Sequence, residues 1–255
     1  KQAVSTTARK LRLRMEIPSW KEVRETEVDL RAVLVRKTPK ALVIDGDLSD
    51  WPANAVRIRL DKHNTDPRAH HGWGKAEEKI TANLRYAWDD NFLYASAEVF
   101  KPDLHTLPNA ARADLVWKYD SVQICFDPLR NAAPERESLE DDDFEYSIGL
   151  MGGKARVYRR WASIALYDSL NKEQGLLPED EIPVAIRKYA DRTVYEIAFP
   201  RRAVSPFRLL PNSAMRLSTL VNINNGKERA GFLELTPGIG YRKMPGQWME
   251  FVLLP

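Results

Sequence analysis

The chain has 255 residues, with 39 Lys and Arg against 36 Asp and Glu, and a formal net charge of +3. That length suits one large β domain or two small ones, with a core large enough to need no disulfide staples. The near balance of charge argues against dedicated nucleic-acid binding, and no apolar stretch reaches the roughly 18 residues a membrane helix needs. A single cysteine, Cys125, excludes an internal disulfide. It lies between Ile124 and Phe126, so it reads as a small buried thiol rather than a nucleophile. The chain starts at Lys1 with no apolar leader, and reads as a mature chain or a piece of a longer protein.

In chain order, Lys10 to Ile17 and Val28 to Val35 alternate like strands but are densely charged, and Thr38-Pro39 ends this part. Residues 1–39 are read as an extra N-terminal hairpin, either the tail of a preceding module or an added sheet edge. Leu84 to Trp88 and Phe92 to Val99 form a hairpin around Asp89-Asp90-Asn91, two period-2 runs with an Asx turn between them. Strand-like runs follow at Ser121 to Phe126, Phe144 to Leu150, Ala155 to Trp161, Val184 to Tyr189, Thr193 to Phe199, Met215 to Asn222, Gly231 to Leu235 and Trp248 to Leu253. Gly, Pro and Asx residues punctuate them, which argues for an all-β antiparallel sandwich or barrel. Thr65 to Glu78, Pro128 to Glu140 and Ala162 to Ile182 read as long loops. No glycine-rich phosphate loop occurs.

Seven Trp and nine Tyr supply flat apolar faces on which a sugar ring can stack while nearby polar groups fix its hydroxyls. Trp117 precedes a charged turn and Tyr241 lies in the Gly238-to-Arg242 loop, where core packing explains an aromatic less easily. Trp51, Trp88 and Trp248 sit in or beside apolar strands and read as core. Asp45-Gly46-Asp47 and Glu140-Asp141-Asp142-Asp143 offer hard oxygens that suit Ca²⁺, set against turn carboxylates that bond their own backbone. The four histidines show no zinc spacing, and no Gly-x-Ser-x-Gly occurs. A glycosidase would need two carboxyls facing across a cleft, a relation that sequence spacing does not reveal.

Six segments in order resemble family 9 carbohydrate-binding modules. Ile44-Asp45-Gly46-Asp47-Leu48-Ser49-Asp50-Trp51 is similar to the family's I-D-G-x-x-D/E-x-W opening, and Trp88 to Tyr94 to its W-D-x-x-x-L-Y hairpin. Trp117-Lys118-Tyr119-Asp120-Ser121-Val122-Gln123 resembles W-x-x-D-S-V-E, followed by Phe126-Asp127. Asp141 to Tyr146 resembles the acidic stretch before the next strand. Val194 to Pro200 resembles the Y-x-x-E-x-A-I-P strand, and Asn222-Ile223-Asn224 the asparagine segment. The resemblance covers about residues 40–255. It implies a β-sandwich of the DOMON-like, jelly-roll or immunoglobulin-like kind, without catalytic residues, that stacks a sugar between two aromatics.

Carried over, those aromatics are Trp117 and Tyr241. Gln123 stands where the motif has a sugar-bonding glutamate, and Ser147 where the family has an arginine. The resemblance also implies structural calcium, with Asp45, Asp47, Asp141, Asp142 and Asp143 as candidate ligands. The expected role is non-catalytic binding of an oligo- or polysaccharide. The expected setting is a secreted, periplasmic or cell-surface protein active in polysaccharide degradation, with its other domains as partners. Two alternatives stand beside it: a structural or docking sandwich without its own ligand, and a haem-binding electron-transfer domain of DOMON type.

Overall fold

The computed structural model describes residues 9–17, 22–30, 32–63, 67–70, 72–162 and 175–255. Most of the loop expected at 162–182 lies outside the described residues, as do 65, 66 and 71 of the loop expected at 65–78. The strands are β1 (Arg9–Ile17), β2 (Glu22–Leu30), β3 (Ala32–Arg36), β4 (Val56–Leu60), β5 (Thr81–Trp88), β6 (Phe92–Phe100), β7 (Ser121–Asp127), β8 (Phe144–Met151), β9 (Lys154–Trp161) and β10 (Gly175–Leu176). They continue with β11 (Val184–Lys188), β12 (Thr193–Pro200), β13 (Ala214–Asn224), β14 (Arg229–Glu234) and β15 (Met249–Leu254). Among the described residues the helical elements are short 3-10 turns, and none is long and apolar enough to cross a membrane.

Two sheets form an antiparallel sandwich. The larger runs β10-β9-β8-β7-β13-β15-β3, with β14 also paired to β13, and the smaller runs β11-β12-β6-β5-β4. β13 is long enough to share one edge between two partners: Ala214 to Leu217 pair with β15, and Leu220 to Asn224 pair with β14. Alternation sends Val122, Ile124 and Phe126 of β7 into the space between the sheets, together with Leu84 and Tyr86 of β5 and Ile197 and Phe199 of β12. Phe126 meets Phe199 edge-on at 5.0 Å between centroids, and the Tyr86 hydroxyl lies 2.8 Å from Thr219 Oγ1 across the gap.

β1 and β2 form the extra N-terminal hairpin as a two-stranded sheet of their own. Residues 32–36 of that extension form β3, an edge strand lying parallel to β15 in the larger sheet, as the added-edge alternative has it. The sandwich therefore begins before residue 40. β4, where Arg57 and Arg59 alternate with apolar residues, was not anticipated. Charge on every second residue is what an exposed edge strand requires.

The expected turn chemistry is present. Asp89 Oδ1 accepts from the Asn91 and Phe92 amides at 2.7 and 2.8 Å, and its Oδ2 accepts from the Tyr94 hydroxyl at 2.6 Å. The Asp45-to-Trp51 segment docks on one buried carboxylate of β12. Glu196 Oε2 accepts from the Asp45 and Gly46 amides at 3.0 and 2.9 Å, and its Oε1 from Trp51 Nε1 at 2.7 Å. Gly46 has φ of 80°, and a Cβ there would lie 2.6 Å from Arg187 Cβ. Only glycine suits both.

Glu196→Ala leaves three donors without acceptors and should lower the unfolding free energy by roughly 3 kcal/mol in urea titration. A loss below about 1 kcal/mol would contradict this role.

Candidate functional site

Alternation on the larger sheet puts Ser121, Gln123, Cys125 and Asp127 of β7 on its outer face. Register places Gln123 opposite Ser147, and Cys125 opposite Glu145, on β8. Much of this face is roofed by loops. Cys125 packs with Leu220, Phe232, Ile239 and Trp248, and burial pushes its thiol well up. A groove remains open at one end, with a volume of about 420 Å³ and a lining that includes Trp117, Gln123, Glu145, Arg229 and Tyr241.

Trp117 lies in the 3-10 turn Ala113–Lys118. That turn is held by Asp120, whose Oδ2 accepts from Lys101 Nζ and the His105 amide, both at 2.7 Å. Asp120 Oδ1 accepts from the Asn224 amide at 2.9 Å, and Asn224 Nδ2 donates to the Lys118 carbonyl at 2.8 Å. Two segments 99 or more positions apart, Trp117 to Gln123 and Asn222 to Asn224, thus meet at the groove. Asn222 Nδ2 donates to Ser121 Oγ at 3.0 Å and to Gln123 Oε1 at 3.2 Å.

Tyr241 enters from the loop after β14 and is 49% exposed. Its ring meets Phe232 edge-on at 5.4 Å, and its hydroxyl donates to the Arg68 carbonyl. A Cβ at Gly240 would collide with the Phe232 ring, so glycine is what lets the loop lie this low. Ile239, buried beside it, anchors the loop.

The charged groups of the groove were not singled out from sequence. Glu145 is 4% exposed and accepts from Gln123 Nε2 at 2.7 Å and Lys243 Nζ at 2.8 Å. Arg160 Nε lies 3.6 Å from the same carboxylate. Arg160 is the extra residue of a β-bulge, since β8 pairs Glu145 with Trp161 and Tyr146 with Arg159. The bulge turns its side chain toward the groove. Arg229 donates from Nε to Asn222 Oδ1 at 2.7 Å and stacks near Trp117 and Phe232, 5.3 and 4.6 Å from the ring centroids. Loss of water around Arg229 pulls its guanidinium down to about 10.

Of the expected sugar contacts, Trp117, Gln123 and Tyr241 line one groove. Ser147 does not: it sits beside Gln123 in register but is fully buried, and its hydroxyl has no hydrogen-bond partner among the described residues.

The carboxylates expected at calcium divide. Asp45 Oδ1 accepts from the Asp47 amide at 2.8 Å, and Asp47 Oδ1 from the Ser49 amide at 3.0 Å. They are turn carboxylates of the N-terminal loop, and Asp141 is exposed. Asp142 and Asp143 instead join Asp127, at the end of β7 opposite the groove, with one oxygen of each within 4.8 Å of the others. Asp142 accepts from the Leu129 amide and Asn131 Nδ2, and Asp143 Oδ2 from the Glu140 amide at 2.6 Å. Asp143 Oδ1 is buried with no hydrogen-bond partner among the described residues. Burial first, then neighbouring carboxylates, push the Asp143 carboxyl up to about 8. The counter-charge here is Arg216, 3.4 Å from Asp127. Three close carboxylates with an orphaned buried oxygen fit a hard divalent cation such as Ca²⁺.

Comparison with known proteins agrees with this fold. A family 9 carbohydrate-binding module from Caldicellulosiruptor kristjanssonii, solved with cellotriose, superposes with a TM-score of 0.59 at 18% identity, covering 88% of this chain and 94% of that one. The module from the same organism solved with glucose gives 0.59 at 19% identity, over 88% and 95%. A putative carbohydrate-binding protein from Bacteroides uniformis gives 0.57 at 11% identity, over 87% and 98%. No protein of curated function matches in sequence. The family described as "Carbohydrate family 9 binding domain-like" matches residues 44–234. The chain therefore belongs to this family of non-catalytic carbohydrate-binding modules.

Proposed function

We propose that this chain binds an oligo- or polysaccharide in the groove lined by Trp117, Gln123 and Tyr241, with a sugar ring stacked on Trp117. The observation that carries the reading is the convergence of a loop tryptophan, an exposed loop tyrosine and buried amides on one groove. Stacking supplies apolar contact. The Gln123 amide, held by Asn222, and the Glu145 carboxylate line the groove as polar groups for hydroxyls, so orientation is fixed as well as contact. Family membership and the cellotriose and glucose held by structural neighbours support the same reading.

Calcium belongs to this proposal as a structural ion held by Asp127, Asp142 and Asp143. When bound it would, together with Arg216, balance three crowded carboxylates and use the unpartnered Asp143 oxygen. The proposed setting is a secreted, periplasmic or cell-surface protein active on polysaccharides, in which this module keeps neighbouring domains near their substrate.

Trp117→Ala should abolish sugar binding in calorimetry while the melting temperature moves little. Collapse of the fold would make Trp117 a core residue instead. Asp120→Asn should weaken binding through Trp117 and cost roughly 2 kcal/mol of stability, because buried Lys101 loses its anion. Unchanged affinity in that variant would separate Asp120 from the site. Calcium at about 100 times its dissociation constant should stabilise by about 2.7 kcal/mol, or about 5–10 °C in melting temperature. Chelator should reverse the gain and Asp143→Asn should remove it, whereas an equal gain in that variant would place the ion elsewhere.

A further inference from the structure

The groove holds more positive charge than a neutral sugar needs. Its lining has three cations, Arg160, Arg229 and Lys243, against one carboxylate, Glu145. That carboxylate is already taken, by Lys243 at 2.8 Å, Arg160 at 3.6 Å and the Gln123 amide at 2.7 Å. Arg229 forms no ion pair with the described residues. Among the described residues, one of its five N–H donors is committed, Nε to Asn222 Oδ1. Glu234 lies near enough to favour its charge but makes no ion pair with it.

Arg229 is also held in place. Its guanidinium lies against the Trp117 and Phe232 rings, and Asn222 fixes Nε, so the planar fork is set before any ligand arrives. Two further cations approach the aromatics from outside: Lys118 Nζ lies 5.6 Å from the Trp117 ring centroid, and the Arg68 guanidinium 5.5 Å from that of Tyr241. Gln123 is neutral, so nothing it contributes would repel an anion. A largely desolvated cation with no directly paired carboxylate gains from an anion that shares its site, and a guanidinium fork matches a carboxylate through two parallel hydrogen bonds.

We propose that the groove selects an acidic saccharide, one whose uronate carboxylate pairs with Arg229 while its ring lies against Trp117. This rests on the sugar-binding reading above and narrows it to a substrate class. The carboxylate accepts from the uncommitted Arg229 N–H groups, with Lys243 and Arg160 adding long-range attraction.

The test is calorimetry of the purified chain with matched probes: cellotriose and xylotetraose as neutral sugars, trigalacturonate and a glucuronate-substituted xylotetraose as acidic ones. Each is run at low and at high salt. The acidic probes should bind at least about tenfold tighter than the neutral ones, the ratio expected for one hydrogen bond to a charged group. High salt should narrow the gap. Arg229→Gln should erase the difference between acidic and neutral probes, and Arg229→Lys should keep part of it. Neutral probes binding as tightly as acidic ones would overturn the acidic preference and leave sugar binding standing. No binding by any probe would overturn both readings. If Arg229→Gln fails to fold, the wild-type ratio and its salt dependence still decide.

Discussion

Asp120 fixes where the groove lined by Trp117 and Gln123 lies. It is nearly buried, and its two oxygens gather groups from three places: the Lys101 ammonium, the His105 amide and the Asn224 amide. Such a carboxylate is costly to desolvate and stable only while its partners stay in place. The arrangement therefore behaves as a rivet. It pins the turn that carries Trp117 to the end of β13, and Asn222, two residues earlier on β13, then reaches Ser121 and Gln123. The stacking surface and the amides that would read hydroxyls are positioned by one polar network rather than by separate loops.

The outer face of the larger sheet carries this logic along its length. In a two-layer sandwich one expects the outward residues of β7 and β8 to meet water. Here loops roof the middle of the face, and an apolar patch around Cys125 and Trp248 separates two polar ends. At one end lies the groove. At the other Asp127, Asp142 and Asp143 crowd together, with Asp143 unable to satisfy both its oxygens. An ion at the second end would stiffen the β7–β8 connection whose strands present Gln123 and Glu145 at the first, so calcium and sugar sites would share a scaffold without sharing ligands.

Much of the sandwich was legible because its strands alternate clearly and its turns use Asx residues whose carboxylates bond the local backbone, as Asp89 does. Trp117, Gln123 and Tyr241 were legible as loop aromatics and as motif positions. The rest depended on register and shape. Asp127 and Asp142 are distant in sequence and meet only because β7 and β8 pair. Asp45 and Asp47 read as ligands in the chain, and in the fold each gives one oxygen to the amide two residues on. Ser147 shares a face with Gln123, as period two requires, but the roof above it is not a property of its own strand. Arg160 owes its direction to a bulge, and Arg229 its place against the Trp117 ring to the meeting of β13 and β14 with the Trp117 turn. Residue counts and spacings carry neither fact.

The central claim is that a sugar ring lies on Trp117. The most direct measurement is the set of tryptophan indole N–H signals in a nitrogen-correlated NMR spectrum during oligosaccharide titration, since each of the seven tryptophans reports separately. The account predicts that the Trp117 signal moves and saturates with the ligand, while those of buried Trp51, Trp88 and Trp248 stay in place. Binding that leaves Trp117 still, or that moves half-exposed Trp161 instead, would contradict it.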